Sequence, residues 1–205
     1  LDEFEFLNDP DSNPVVASPL HLFDCSPVTD GASVVILAAE EIARQFTEDI
    51  VTVVASAQAS AGPFSTWAGD ITSIPSSRIA ATQAYEMAGL QPSDIDFAEI
   101  HDCFTIAEII GIEDLGLFEP GKGVFATAEG LTSRDGNCPI NVSGGLKAKG
   151  HPVGATGTGQ VLEVWSQLVG NAGDRQLQGR NLTFGLTHNV GGTGGTCAVH
   201  ILERK

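Results

Sequence analysis

A histidine, a carboxylate and a thiol follow one another at His101, Asp102 and Cys103, after an apolar run predicted to be a strand at 95–100. Together these side chains offer a hydrogen-bond donor, an acid or base and a potential nucleophile. The spacing is equally compatible with a structural role. In that case Asp102 caps the helix that follows, Cys103 is a small buried side chain, and His101 is simply polar.

A second candidate segment, residues 143–157, is dense in glycine and contains His151 between Gly150 and Pro152. Glycine lets the backbone approach a ligand closely, and Pro152 fits the first turn of a helix. The positive end of that helix would favour an anion or a developing oxyanion near His151. Such a loop could equally hold a phosphate, but it lacks the Gly-Lys-Ser/Thr ending of a P-loop, so nucleotide hydrolysis is not predicted.

A third segment, residues 188–195, begins with His188 and Asn189 and becomes glycine-rich from Gly191 onwards. Its glycine content resembles that of a dinucleotide-binding loop, but a strand rather than a helix is predicted to follow. Stacked backbone N–H groups suit an oxyanion hole better. The structural alternative is a tight turn between two final strands.

The cysteines lie far apart along the chain, without a Cys-x-x-Cys pair. This argues against a zinc site and a disulfide framework, so no metal is predicted and a reducing compartment is expected. The first residues are acidic rather than basic, so no signal peptide is predicted and we expect a cytoplasmic location. Cys25 is interpreted as structural, Cys138 and Cys197 as inert core thiols, His21 as a surface or capping residue, and His200 as structural.

The composition bounds the class of protein. The chain has 205 residues, 42% hydrophobic content and a formal net charge of −16, from 26 acidic and 10 basic residues. This is enough apolar sequence for one sizeable core. The charge argues against nucleic acid and anionic membranes as partners, because phosphate binding requires clustered Lys and Arg. No apolar run approaches the ~20 residues of a membrane span.

Strands and helices are predicted to alternate along the chain. Strands are predicted at 33–37, 51–55, 95–100, 139–142, 181–187 and 196–202, and helices at 78–88, 104–115 and 155–169, with a short helix after 37. Residues 1–22 are predicted to be irregular, and 56–77 to be mostly loop. The alternation indicates a layered α/β fold with a central mixed sheet. The three candidate segments lie at strand ends, where ligands collect in open α/β sheets.

Taken together, these segments resemble the thiolase superfamily. Residues 141–157 resemble the long glycine/His loop of the second half of a thiolase, and residues 24–32 resemble a motif near the end of the first half. The run 101–104, His-Asp-Cys-Phe, is similar to the fingerprint of the sterol-carrier-protein-2 branch. Residues 188–192 stand where ordinary thiolases have Cys-x-Gly, and that branch has His-Asn there. The resemblance spans most of residues 20–203.

The resemblance implies a thiolase-like layered α/β fold, here its C-terminal half, in which βαβαβαββ elements form a central mixed sheet flanked by helices. Residues 1–49 would be the tail end of the N-terminal domain, and residues 50–205 the C-terminal domain. The nucleophilic cysteine of thiolases lies in a Cys-x-Ser loop of the first half, and no residue before Cys25 can be that cysteine. We therefore expect the chain to need a missing N-terminal half or a partner chain.

The resemblance also implies roles for individual residues. His151 would help activate the nucleophilic cysteine and line an oxyanion hole for the thioester oxygen. His101 would replace an asparagine at that oxyanion hole, and Cys103 would take over proton transfer. Gly191 would supply a backbone N–H to a second oxyanion hole.

Further positions follow from the same comparison. His188 or Asn189 occupies the place of the acid/base cysteine of the main branch. Ser26 matches a serine that touches the pantetheine of coenzyme A in some thiolases. Ser143 and Gly150 of the glycine/His loop are predicted as coenzyme A contacts beside it. Because the chain is so acidic, the basic contacts to coenzyme A are expected from elsewhere.

The implied function is CoA-dependent cleavage or Claisen condensation of 3-oxoacyl-CoA, with coenzyme A as substrate or product and no metal. A second interpretation keeps the fold but makes the protein an aldolase on steroid side-chain CoA esters, with a small OB-fold subunit as partner. Such relatives carry tyrosines at key loop positions, whereas Tyr85 lies outside the loops. A third is a non-catalytic module that binds acyl-CoA or lipid. A homo-oligomer is expected from the family alone.

Overall fold

The computed structural model describes residues 2–62 and 71–205. The helices in these ranges are α1 (Glu3–Asn8), α2 (Glu40–Ala43), α3 (Pro75–Ala88), α4 (Thr105–Asp114), α5 (Gly123–Ala128), α6 (Gly145–Lys149) and α7 (Thr156–Leu168). The strands are β1 (Val15–Ala17), β2 (Leu20–His21), β3 (Val51–Ser60), β4 (Phe97–Ile100), β5 (Phe184–Gly191) and β6 (Thr196–Arg204). Within these ranges each helix is too short or too polar to span a membrane.

Four strands form a mixed sheet in the order β3-β6-β5-β4, which confirms the predicted central mixed sheet. Strand β6 runs antiparallel to both neighbours, whereas β4 and β5 are parallel. The strand predicted at 139–142 is reduced to one parallel bridge between Ile140 and Ala98. It does not extend because Pro139 has no N–H to donate and Asn141 has a φ of 52°, which ends extended backbone.

Helix α3 covers one face of the sheet through small side chains. Ala55, Ala57 and Ala59 alternate along β3 and are buried, as are Ala80 and Ala84 of α3. Alanine on both surfaces lets the helix pack close to the strand, with larger side chains filling the core towards β4 and β5. These larger members are Ile100, Ile112, Leu115, Leu186, Val199 and Ile201.

Helix α7 covers the other face over β4 and β5. Val164 packs there against Phe97, and both side chains are fully buried. A Cβ added to Gly185 of β5 would lie 2.5 Å from Val164 Cγ1 and 2.8 Å from Phe97 Cζ. Glycine at this position therefore lets α7 lie directly on the sheet, and this close packing fixes the position of its N-terminal turn at the strand ends.

The residues before β3 differ most from the predictions. The first 22 residues are not wholly irregular, because they form α1 and the β1–β2 pair. The short helix expected after residue 37 is present as α2. Residues 33–37 form no strand in the described part of the chain, because no neighbouring strand offers them a hydrogen-bond ladder.

The boundaries of other elements also differ from the predicted ones. Strand β3 continues to Ser60 because it pairs with β6 over its full length, so the loop predicted from residue 56 begins too early. Residues 63–70 of that prediction lie outside the described residues. Strand β5 ends at Gly191, so His188 and Asn189 belong to a strand rather than to a loop. The glycine-dense segment contains a short helix, α6, that was not predicted.

Candidate active site

Three of the predicted segments meet where β4 and β5 end. His101 follows β4, and its ring contacts that of His151 edge-on, with the centroids 4.9 Å apart and the planes at 84°. Asn189, near the end of β5, places its Nδ2 at 3.3 Å from His101 Nδ1. Because β4 and β5 are parallel neighbours, residues just after one and near the end of the other are brought to the same edge.

His151 is held at both its backbone and its ring. Its N–H donates to Pro27 O at 3.2 Å, and its Nδ1 lies 2.7 Å from Thr156 Oγ1. The Thr156 hydroxyl donates to Pro152 O at 3.1 Å. A carbonyl oxygen can only accept, so both contacts are hydrogen bonds only in the arrangement in which the Thr156 proton goes to Pro152 O and His151 Nδ1 carries the ring hydrogen. In that arrangement the neutral ring of His151 has its lone pair at Nε2, as a general base requires.

His101 is almost fully buried, and the ring of His151 lies beside it. Burial, followed by the charge that His151 can carry, lowers the pKa of His101 to about 4. The imidazole of His101 is therefore neutral near pH 7. A neutral imidazole carries one N–H and can donate it to an oxyanion without itself changing charge.

Cys103 lies two residues further on and is half-buried. Burial and the neighbouring carboxylate of Asp102 both raise the pKa of the Cys103 thiol. The group is therefore held as a thiol near neutral pH, which suits a proton donor. The carbonyl of Cys103 accepts from Ser26 N at 2.9 Å, so Ser26 is brought beside it.

Asp102 does cap a helix, but not the one predicted. Its carboxylate accepts from Leu146 N at 2.7 Å and from Lys147 N at 3.3 Å, in the first turn of α6. The residue before α4, Phe104, gives that helix no side-chain cap. A Cβ on Gly145 would lie 2.1 Å from Asp102 Oδ2, so only glycine leaves room for this contact. Asp102 thereby ties the end of β4 to the loop that carries His151.

Ser143, predicted to contact coenzyme A, is engaged inside the protein. Its N–H donates to Glu99 Oε1 at 3.0 Å and its hydroxyl donates to Glu99 Oε2. Lys149 Nζ lies 2.8 Å from Ser143 Oγ and 3.5 Å from Glu99 Oε2. Burial raises the pKa of the fully buried Glu99, while Lys149 opposes that effect. These contacts anchor the loop and engage both the N–H and the hydroxyl of Ser143.

The segment before α2 forms one wall of the site by packing on the glycine/His loop. A Cβ on Gly150, where φ is 88°, would lie 2.4 Å from Thr29 Cγ2. A Cβ on Gly31 would lie 2.8 Å from Pro152 Cγ. Gly150 is thus required by a close approach of two chain segments, and Ser26 lies in the same wall.

Gly191 and His188, two predicted site residues of the third segment, lie in different surroundings. Gly191 ends β5 and is exposed, whereas His188 is fully buried. Successive strand residues face opposite sides of a sheet, and His188 accordingly faces α3, with Nε2 2.8 Å from Ser77 Oγ. Burial, followed by the charge that His101 can carry, lowers the pKa of His188 to about 3. Its side chain is not brought together with the rings of His101 and His151.

Several residues of this region were not singled out from the sequence. Thr156 and Gln160 lie four residues apart on one face of α7, and both are buried. Glu99 is the charged residue of the otherwise apolar strand β4, which is an anomaly that the sequence displays. Tyr85 lies in α3, where its hydroxyl donates to Leu115 O at 3.0 Å, away from these loops as predicted.

Residues 57–204 match the family described as "Thiolase C-terminal domain-like". Over 190 residues the chain is 53% identical to the acetyl-CoA acetyltransferase of Methanothermobacter thermautotrophicus, covering 93% of this chain and 49% of that one. It is 40% identical over 189 residues to sterol carrier protein 2 of Oryctolagus cuniculus, covering 90% and 34%. It is 34% identical over 178 residues to the benzoylsuccinyl-CoA thiolase subunit BbsB of Thauera aromatica, covering 87% and 46%.

The chain is also similar to a solved structure described as "Ltp2-ChsH2(DUF35) aldolase". The TM-score is 0.83 at 26% identity, covering 97% of this chain and 51% of that one. The chain thus spans about half the length, or less, of the relatives named here. The predicted resemblance is confirmed by the family match and by the relatives. This chain belongs to the thiolase superfamily, and residues 57–204 carry its C-terminal domain.

Proposed function

We propose that this chain is the C-terminal part of an acyltransferase that cleaves or forms 3-oxoacyl-CoA, with coenzyme A as substrate or product. The observation that carries the proposal is the pair formed by His101 and His151. One ring is neutral and buried, the other has Nε2 available as a base, and they meet edge-on at 4.9 Å. The half-buried thiol of Cys103 follows His101 by two residues.

In the cleavage direction a thiolate attacks the 3-oxo carbon of the substrate. The bond between C2 and C3 then breaks, and its electron pair moves to C2. Cys103, held as a thiol, is suited to deliver a proton to C2, while His101 donates to the thioester oxygen of the departing enolate. The N–H of Gly191 is proposed for the other oxyanion. His151 Nε2 takes the proton of the attacking thiol, first on the enzyme and later on coenzyme A.

The thiolate itself is proposed to come from the part of the protein that precedes this chain. Residues 1–49 would belong to that preceding domain and residues 50–205 to the C-terminal domain. The acidic chain has only 10 basic residues, so we assign most coenzyme A phosphate contacts to the preceding part as well. Ser26 and Gly150 line the wall shared by the two parts, and Ser26 is the proposed pantetheine contact.

The proposal of protein partners is based on the relatives. The solved relative is described as a complex with a DUF35 chain, and this supports a small partner subunit such as the predicted OB-fold chain. Homo-oligomerisation and a cytoplasmic location remain predictions. All four cysteines are free in the structure.

The same fold similarity supports aldolase chemistry as a second candidate. The TM-score of 0.83 to an aldolase complex favours it, whereas the free thiol at Cys103 favours acyl transfer. The two differ in their co-reactant. Acyl transfer consumes coenzyme A to split the substrate, whereas an aldolase splits a 3-hydroxyacyl-CoA without it.

The test is CoA-dependent loss of acetoacetyl-CoA, measured by chromatography of the acyl-CoA products with the full-length protein. His151→Ala and Cys103→Ala are each expected to lower kcat by about 10²- to 10⁴-fold, the usual contribution of a positioned acid or base. Cys138→Ala is the matched control, because Cys138 is another partly buried thiol that packs against the core cluster. Full activity of the Cys103→Ala variant would refute its assigned role.

A further inference from the structure

Gln160 of α7 bridges the two parallel strands that end at the site. Its side chain is fully buried. Its Nε2 donates to His188 O at 3.1 Å and reaches Glu99 O at 3.4 Å, which are carbonyls of β5 and β4. Both partners can only accept, so the nitrogen of the amide must face them. The orientation of the Gln160 amide is therefore fixed, and its oxygen points the other way.

That oxygen in turn fixes the amide of Asn189. Gln160 Oε1 accepts from Asn189 Nδ2 at 3.0 Å. Only the nitrogen of Asn189 can stand opposite an acceptor, so this side chain also has a single orientation. The same Nδ2 lies 3.3 Å from His101 Nδ1 and has a second hydrogen to give.

His101 is the third member of the chain of hydrogen bonds. Its Nδ1 faces a donor, so it must accept, and the single hydrogen of the neutral ring must be on Nε2. The low pKa of His101, about 4, keeps the ring neutral near pH 7. With the opposite tautomer, the ring would present a lone pair at Nε2 and could not donate to an oxyanion there.

We propose that Gln160 is a positioning residue of this site: acting through Asn189, it holds His101 in the tautomer that presents Nε2–H to the developing oxyanion. The hydrogen bonds of the Gln160 side chain go to Asn189 and to the carbonyls of Glu99 and His188. The catalytic consequence rests on the function proposed above, whereas the tautomer of His101 does not. Asn189, which with His188 was predicted to occupy the place of the acid/base cysteine of the main branch, serves in this proposal as an amide donor to His101.

The test uses the full-length protein labelled with [15N]histidine, with the imidazole nitrogens observed by NMR. The His101 signals are identified by their loss in the variant His101→Asn. In the unsubstituted protein, His101 is expected to be the Nε2–H tautomer. Gln160→Met, which is similar in volume but apolar, is expected to give a mixture of tautomers. It should lower kcat by about 10- to 100-fold, with KM changed less than twofold.

Gln167→Met is the matched control. Gln167 lies on the same helix, is equally buried and bonds Glu163, Arg175 O and Leu177 N, with no bond to the chain of amides at the site. We expect it to lower stability without changing the His101 tautomer or kcat by more than about twofold. Asn189→Asp is the second test variant, because a carboxylate at this position accepts from Nδ1 and should invert the tautomer.

The outcomes separate this inference from the proposed function. A His101 ring that keeps the pure Nε2–H tautomer in both Gln160→Met and Asn189→Asp overturns the inference, whatever the activity. A tautomer change in these variants supports the inference even where the full-length protein shows no acetoacetyl-CoA cleavage, and that result would count against the proposed function alone. A change of tautomer with unchanged kcat overturns the catalytic part.

Discussion

Glu108 of α4 places a partly buried carboxyl group against Asn141, the residue that leads into the glycine/His loop. Its Oε2 accepts from Asn141 Nδ2 at 2.6 Å, and Asn141 Oδ1 accepts from Ile100 N at 2.7 Å. Burial raises the pKa of Glu108 to about 7, with smaller contributions from the charges of Asp102 and Glu99, while the bond from Asn141 opposes the rise. The side chain is therefore half-protonated near neutral pH.

This raised pKa gives a prediction about stability and pH. The folded-state pKa lies above the ordinary value of 4.5, so the folded protein loses stability as pH rises from about 4.5 to about 7. Glu108→Gln keeps an oxygen that can accept from Asn141 and removes the charge. We compare the free energy of unfolding of the variant with that of the unsubstituted protein. Between pH 5 and pH 8 this difference is expected to shift by about 2 kcal/mol in favour of the variant.

Urea unfolding of both full-length proteins at the two pH values measures this difference. The buried rings of His101 and His188, whose pKa values are lowered, make stability fall as pH drops below about 6.5. Both proteins contain these rings, so their effect cancels in the comparison. An equal stability difference at pH 5 and pH 8 would show that Glu108 is not the titrating group.

At the scale of elements, the short helix α6 depends on one carboxylate from another segment. Asp102 supplies the hydrogen bonds to the first turn, and Gly145, at a φ of 62°, leaves space for it. A five-residue helix has little stability of its own. His151 follows α6 after Gly150, so its position depends on the contact between Leu146 and Asp102, which are 44 residues apart in the chain.

A double-mutant cycle tests this dependence. Asp102→Ala is expected to lower the free energy of unfolding by about 1–3 kcal/mol, since buried N–H groups lose their acceptor. Gly145→Ala should cost more in the presence of Asp102, because the new Cβ meets its carboxylate, than in the Asp102→Ala background, where only the positive φ is penalised. The comparison uses chemical unfolding of the four proteins.

Gly144 provides the control for this cycle. It also has a positive φ, of 89°, but its added Cβ would meet Ala148 at 2.7 Å rather than Asp102. Gly144→Ala should therefore cost the same with and without Asp102. Coupling of Asp102 to Gly144 as strong as that to Gly145 would contradict the contact.

The sequence predicted long and periodic elements well and single contacts poorly. Helix α7 and strand β6 were placed to within two residues, because an apolar periodicity over many positions is a local signal. The partner of Asp102 was not predictable, because the helix that it caps is distant in sequence. The sequence also did not predict that His188 and Asn189 face opposite sides of the sheet, because the end of β5 depends on its pairing with β6.

At the scale of the whole molecule, the segment before β3 exposes an apolar surface. Val34, Ile36, Leu37 and Phe46 are 77%, 89%, 77% and 84% exposed. Grouped exposure of this kind marks a surface that another part of a protein covers. In the function proposed above, a further part of the protein precedes this chain, and that part would cover this surface.

Two substitutions distinguish a covered surface from an exposed one. In the full-length protein, Ile36→Gln is expected to lower the free energy of unfolding by about 2 kcal/mol, because its side chain would leave an apolar contact. Met87→Gln, at another exposed apolar position of α3, keeps an acceptor for Ser56 N, which donates to Met87 Sδ at 3.4 Å, and should change it by less than about 0.5 kcal/mol. If the two substitutions cost the same small amount, Ile36 faces solvent in the full-length protein. The strand predicted at 33–37 would then have no partner there, and the proposed location of the nucleophile in the preceding part would lose its structural support.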